Sequence, residues 1–108
     1  MSNKKMNNSE NSCSLIDVLE IIGGKWAMPI IYHLSKGKMR FKELERSVEG
    51  INTRMLVKEL KNMEVNGIVT REVFATVPPT VEYTLTVKGE KLLPSIVSLY
   101  QWGQEFIV

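Results

Sequence analysis

Arg54, Lys58 and Lys61 stand four and then three residues apart, the spacing that brings side chains to one face of an α-helix. Cations in such a row suit a polyanion. Each neutralises a phosphate, and an arginine in the first helical turn also reaches guanine edges. Asn52 and Thr53 stand at the start of the same helix, together either cap and phosphate donors or a cap alone. Arg40 and Lys42 open the segment before it, where they either pin a nucleic-acid backbone or remain solvated. Thr76 and Thr80 offer hydroxyls to phosphate from a later loop.

A thiol and an imidazole complete the reactive inventory. Cys13 is the single cysteine and falls just ahead of an expected helix, whose free N–H groups and dipole favour a thiolate. It is a candidate regulatory residue, weighed against a small hydrophobe at a subunit interface. Any disulfide it forms must be intermolecular or with a small thiol. His33 stands alone and is expected to pack or cap. An enzyme built on Cys13 and His33 would need an oriented base, and no Asp-His or glycine-rich nucleophile signature accompanies them. The sequence reads as a non-enzyme, with no metal site and no cofactor.

Charge supports the polyanion reading only once it is divided. The 108-residue chain carries 14 basic and 12 acidic residues, a net +2 that announces nothing. Between Lys25 and Lys61, however, nine basic residues face four acids, leaving +5 there and −3 elsewhere. A basic middle of this kind is either a polyanion-facing side or a solvated mixed-charge surface. One cysteine excludes a disulfide framework and a cysteine-based zinc cluster. The N-terminal MSNKKMNNSENSCS lacks the apolar stretch of a secretory signal, and no apolar run is long enough to span a membrane. The expectation is a soluble, cytoplasmic protein. A single domain of this size buries only about two-thirds of its unfolded surface, so a partner subunit would help.

The elements that must position these residues follow from periodicity. Residues 1–12 are polar and aperiodic, an expected flexible tail ahead of one domain at 13–108. Leu15, Val18, Leu19 and Ile22 mark a helix capped by Ser14 or Ser12 and ended by Gly23-Gly24 with a left-handed or open exit. Trp26, Ile30, Ile31 and Leu34 mark a second, from about Lys25 to Ser35, with Pro29 in its first turn. A short extended Met39–Phe41 leads into a helix Phe41–Val48 with Phe41, Leu44 and Val48 inward. A tight turn at Glu49-Gly50-Ile51 then precedes the helix Thr53–Val65, which buries Leu56, Leu60 and Met63 and ends at Asn66-Gly67. Two β-rich runs, Ile68–Phe74 and Thr80–Leu85, form a hairpin around Ala75–Pro79. Thr86 caps one last helix running from Val87 towards Phe106. Leu93, Ile96, Val97, Tyr100, Trp102 and Phe106 give that helix more than one apolar face, and a second such face is usually buried against another chain.

Two helices around a glycine turn, followed by a hairpin, make a winged helix-turn-helix: a mainly α, α+β fold that seats its second helix in a major groove of double-stranded DNA. The alternative is a winged-helix protein-interaction module, for which a charge-neutral helix face would be expected. Gly23-Gly24-Lys25-Trp26, Arg40-Phe41-Lys42-Glu43-Leu44, Gly50-Ile51 before Arg54-Met55-Leu56, and Val77-Pro78-Pro79-Thr80-Val81-Glu82-Tyr83-Thr84-Leu85-Thr86 resemble the HxlR family. These are small bacterial and archaeal winged-helix transcriptional regulators, similar to the MarR-like regulators. The resemblance covers about Cys13 to Gly103. It implies a homodimer on palindromic operator DNA, built by the last helix and by Leu15, Leu19 and Ile22 of the first. Several such regulators sense oxidants or electrophiles through a cysteine at the position of Cys13, and the resemblance implies the same here. Two departures stand out. Thr80 occupies the wing position where the family usually has arginine, and Cys13-Ser14 replaces a Cys-Pro pair. Trp26, Tyr100, Trp102 and Phe106 read as core or dimer aromatics, or as the lining of a small effector pocket between subunits; no ligand is singled out.

Overall fold

The computed structural model describes residues 12–107, so the predicted tail at 1–12 lies outside the described residues except for Ser12. Helix α1 (Leu15–Ile22) starts with a capping box: Ser14 Oγ accepts from Asp17 N–H at 3.2 Å, and Asp17 accepts from Ser14 N–H at 2.9 Å. It ends at Gly23, which stays right-handed at φ −83°, so of the two exits expected the left-handed one is not taken there. Glycine is required there for space, since a Cβ would fall 2.3 Å from the Leu19 carbonyl oxygen. Helix α2 (Ala27–Leu34) places Pro29 in its first turn, where the missing N–H costs no intrahelical bond. Ala27, Ile30, Ile31 and Leu34 bury its inner face.

Strand β1 (Met39–Arg40) leads directly into α3 (Phe41–Ser47), and α4 (Thr53–Val65) follows across a short turn. Strands β2 (Val69–Phe74) and β3 (Thr80–Leu85) form the predicted antiparallel hairpin, with Val69 opposite Leu85 and Phe74 opposite Thr80. The sheet has a third member. β1 pairs antiparallel with β3, Met39 opposite Tyr83 and Arg40 opposite Glu82, giving the order β1-β3-β2. One core fills the space between: Leu44 and Val48 from α3, Leu56, Leu60 and Met63 from α4, Val69, Tyr83 and Leu85 from the sheet, all against α2.

The single predicted helix from Val87 is two helices, α5 (Val87–Glu90) and α6 (Leu93–Phe106). Pro94 explains the break: it has no N–H for the Glu90 carbonyl, and its ring crowds that oxygen. Ile22 and Ile96, expected at a subunit interface, are buried in the chain's own core, because each lies on the stripe its helix turns towards α2. Leu93 and Val97 are half-buried; Leu15, Leu19, Tyr100, Trp102 and Phe106 are exposed.

The C-terminus of α4 is clamped from α5. Gly67 takes φ +74° and the Ile68 N–H returns to the Met63 carbonyl at 2.8 Å. Lys88 Nζ then donates to the Asn66 carbonyl at 2.7 Å, and Thr86 Oγ1 to the Gly67 carbonyl at 2.6 Å. Among the described residues no helix is long and apolar enough to cross a membrane.

Candidate nucleic-acid interface

Helix α4 is built to show one face. Asn52 is extended, and its Oδ1 accepts from the Met55 N–H at 2.8 Å, satisfying a donor that the first turn leaves free. Gly50 supplies φ +89° in the turn from α3, a conformation that costs a side-chain-bearing residue. With Leu56, Leu60 and Met63 buried, Arg54, Val57, Lys58, Lys61 and Asn62 all face outward. No ion pair engages Arg54, Lys58 or Lys61 among the described residues. Their charge is fully presented to solvent.

Nearby acids are turned to structural use. Glu43 accepts the Arg40 backbone N–H at 2.8 Å, and Glu45 accepts the hydroxyl proton of Thr53. That second bond redirects Thr53: the hydroxyl expected to donate to phosphate ties α4 to α3 instead. The wing gives the same result. Thr76 Oγ1 donates to the Pro78 carbonyl at 2.7 Å, and the Thr76 and Thr80 hydroxyls lie 3.4 Å apart. These hydroxyls fold the loop on itself, while Val77 stands fully exposed at its tip. The wing tip from Ala75 to Thr80 bears no charge.

Two grooves carry further cations. One, of about 530 Å³, runs between the start of α3 and the wing loop and is lined by Arg40, Lys42, Arg46 and Pro78–Thr80. The other, about 460 Å³, lies between α4 and the sheet, with Lys61, Glu64 and Arg71 over Val57, Val81 and Tyr83. The structure thus sets Arg40, Lys42 and Arg46 together between α3 and the wing, and Lys61 beside Arg71 between α4 and the sheet, while Arg54 and Lys58 lie exposed along α4. Arg46 was countable in the basic middle. Arg71 gave no sequence signal, since only the register opposite Tyr83 brings it beside α4. Lys25 and Lys36 fall away from this set; their ammonium groups sit 4.8 and 5.0 Å from the ring centroids of Trp26 and Tyr32.

Cys13 is exposed, one residue ahead of the Ser14 cap. His33 packs edge-on against Tyr32, at 6.0 Å between ring centroids, as its solitary position suggested. It also borders an apolar cavity of about 440 Å³ with Met28, Pro29, Tyr32, Ile96, Leu99 and Tyr100. Of the aromatics considered for an effector pocket, only Tyr100 lines this cavity; Trp102 and Phe106 stack on each other at 5.5 Å.

A helix-turn-helix with a cationic, unpaired outer face, backed by a hairpin on the same side, defines a winged helix-turn-helix DNA-binding protein. From residue 21 to 108 the chain matches the HxlR-like helix-turn-helix family, and it belongs to that family. It is 39% identical over 105 residues to an HTH-type transcriptional regulator of Methanothermobacter thermautotrophicus, covering 97% of this chain and 80% of that one. Among solved structures, a transcriptional regulator of the MarR family from Porphyromonas gingivalis W83 superposes with a TM-score of 0.83 at 36% identity. It covers 94% of this chain and 99% of its own. The redox regulator HypR in its oxidized form gives 0.81 at 43% identity, over 86% and 96%. The chain is a transcriptional regulator of the helix-turn-helix type.

Proposed function

We propose that the protein acts as a homodimer on a palindromic operator, each protomer seating residues 52–61 in a major groove. The half-sites then lie about one helical turn, roughly 34 Å, apart. The observation that carries this reading is the outer face of α4, where three cations stand without an ion pair among the described residues, on a helix whose other side is buried. A module for holding another protein has no need of that arrangement. Arg54, in the first turn, reads a base edge or its phosphate; Lys58 and Lys61 neutralise phosphates, and Arg40 and Lys42 pin the backbone beside the wing. Asn52 acts as the cap. Dimerisation rests on the exposed apolar residues Leu15 and Leu19 of α1 with Tyr100, Trp102 and Phe106 of α6.

Cys13 is the residue through which oxidants act in this reading. Peroxide oxidises its thiol to a sulfenic acid with release of water. The sulfenic acid then condenses with a small thiol, or with the partner's Cys13, releasing a second water as the S–S bond forms. Exposure of the thiol beside α1 supports this, as does the likeness to HypR, itself a redox regulator. Only an event that distinguishes two spacings of the recognition helices can switch affinity. A gel shift on the DNA upstream of the gene, with and without peroxide, tests both parts. Salt-sensitive binding that peroxide alters is expected. Failure to bind any palindromic DNA at low salt overturns the DNA reading, while indifference to peroxide removes the sensor alone.

A further inference from the structure

We propose that Glu82 is a positioning residue of this interface: it holds Arg40 and Lys38 at the base of the wing and limits their pull on non-operator DNA. The proposal rests on the DNA-binding reading above. Both ion pairs among the described residues end on this one carboxylate, Lys38 Nζ 3.5 Å from Oε1 and Arg40 Nε 3.9 Å from Oε2. The acid and its partners are unequally placed. The Glu82 side chain is 17% exposed, whereas those of Lys38 and Arg40 are 64% and 58% exposed.

Glu82 is a poor choice for the sheet alone. It occupies the central strand, and its Oε1 is closed to solvent without a hydrogen bond. Desolvating a carboxylate without a donor is unfavourable. Across the β2–β3 pair it faces Glu72, a like charge directly opposite, which weakens the pairing further. What the carboxylate contributes is charge aimed at β1.

Neither cation is within hydrogen-bond reach of it, so their N–H groups stay available to another acceptor. Arg40 faces Glu82 through Nε and lines the groove it shares with Lys42, Arg46 and the wing prolines. A phosphate in that groove meets three cations and one acid, Glu43, with Glu82 behind Arg40. In free protein the carboxylate cancels part of the charge on Lys38 and Arg40. Binding to non-operator DNA depends almost wholly on counterion release, so it feels that cancellation most. On the operator the same contact keeps Arg40 in register with its phosphate.

The test is Glu82→Gln, which keeps the size and removes the charge. Fluorescence anisotropy follows wild type and variant over a salt series on two duplexes: one selected by the wild-type protein from a random pool, the other a scramble of it. The variant is expected to bind the scramble about threefold or more tighter at low salt, with a salt slope steeper by about one. Discrimination between the duplexes falls by a similar factor. A purely structural role would lower the Tm and weaken both complexes without steepening the slope. Unchanged slope and discrimination, or weaker scramble binding, overturn the proposal. Should Glu82→Gln fail to fold, Arg40→Gln in the otherwise native chain decides. Its charge being partly cancelled already, its loss must lower the slope clearly less than Lys58→Ala does, and an equal drop overturns the proposal. If wild type binds no duplex at low salt, the DNA reading falls and takes this one with it; if it binds and Glu82→Gln behaves as wild type, this one falls alone.

Discussion

Asn52 and Lys58 belong to one helix and do separable work. Asn52 bonds the backbone of its own first turn, whereas Lys58 is exposed and makes no ion pair among the described residues. Asn52→Ala is therefore expected to cost about 1 kcal/mol of stability. That is a fall of roughly 4–8 °C in Tm for a domain of this size, read by thermal circular dichroism. Lys58→Ala should leave Tm nearly unchanged, weaken binding to every sequence, and reduce the salt slope by about one. Residues that act locally were the legible ones. The caps at Ser14, Asn52 and Thr86 could be read because each bonds an N–H three residues ahead. The bond from Thr53 to Glu45 is not legible because it crosses a turn, nor is Glu82 as an ion-pair centre, because its partners lie in and just ahead of β1.

At the scale of elements, α4 was the easiest to foresee: cap, apolar stripe and glycine stop all point to Thr53–Val65, and the helix has those bounds. The hairpin was legible for the same reason, with two β-rich runs around prolines. Two things were missed. Met39–Phe41 reads as extended, and Met39–Arg40 is, but two residues are too few to announce the pairing with β3 that makes them a strand. The last helix was drawn through Pro94 because its apolar pattern continues across the break, and periodicity outweighed a missing N–H. Gly89 marks how tightly the resulting α5 is packed. A Cβ there would stand 2.3 Å from the Ile68 carbonyl oxygen and 3.1 Å from Leu85 Cδ2. The first neighbour is backbone and cannot turn aside, so Gly89→Ala is expected to destabilise by about 1–3 kcal/mol. Urea unfolding should show a lower midpoint with an unchanged m-value, since the exposed surface on unfolding is the same.

The whole molecule is elongated. Its Cα radius of gyration is 15.6 Å, with extents of 54 × 36 × 24 Å, against about 13 Å expected of a compact chain near 100 residues. Leu15 and Ile16 of α1 are 79% and 69% exposed, and Trp102 and Phe106 of α6 are 57% and 64% exposed. Faces of that kind are ordinarily covered, and a second copy of the chain is the covering proposed. Sedimentation should then give a dimer at micromolar concentration, with a Tm that rises with protein concentration. Trp102→Asp should produce monomers that lose operator affinity; a variant that stays dimeric, or wild type that sediments as a monomer, counts against the arrangement. Charge at this scale was legible only in part. Dividing the sequence located the basic side, yet counting could not show that Lys25 and Lys36 lie on aromatic rings or that Arg71 stands beside α4.

The clamp at the end of α4 bears on how such a regulator can be re-engineered. The carbonyls of Asn66 and Gly67, the stop of the recognition helix, are received by Lys88 and Thr86, and Lys88 lies 22 residues further along the chain than Asn66. A cassette of residues 53–67, helix and stop together, moved into another scaffold would leave those receivers behind. Altering operator preference here calls for exchanging outward side chains in place, because the helix and its distant clamp are inherited together.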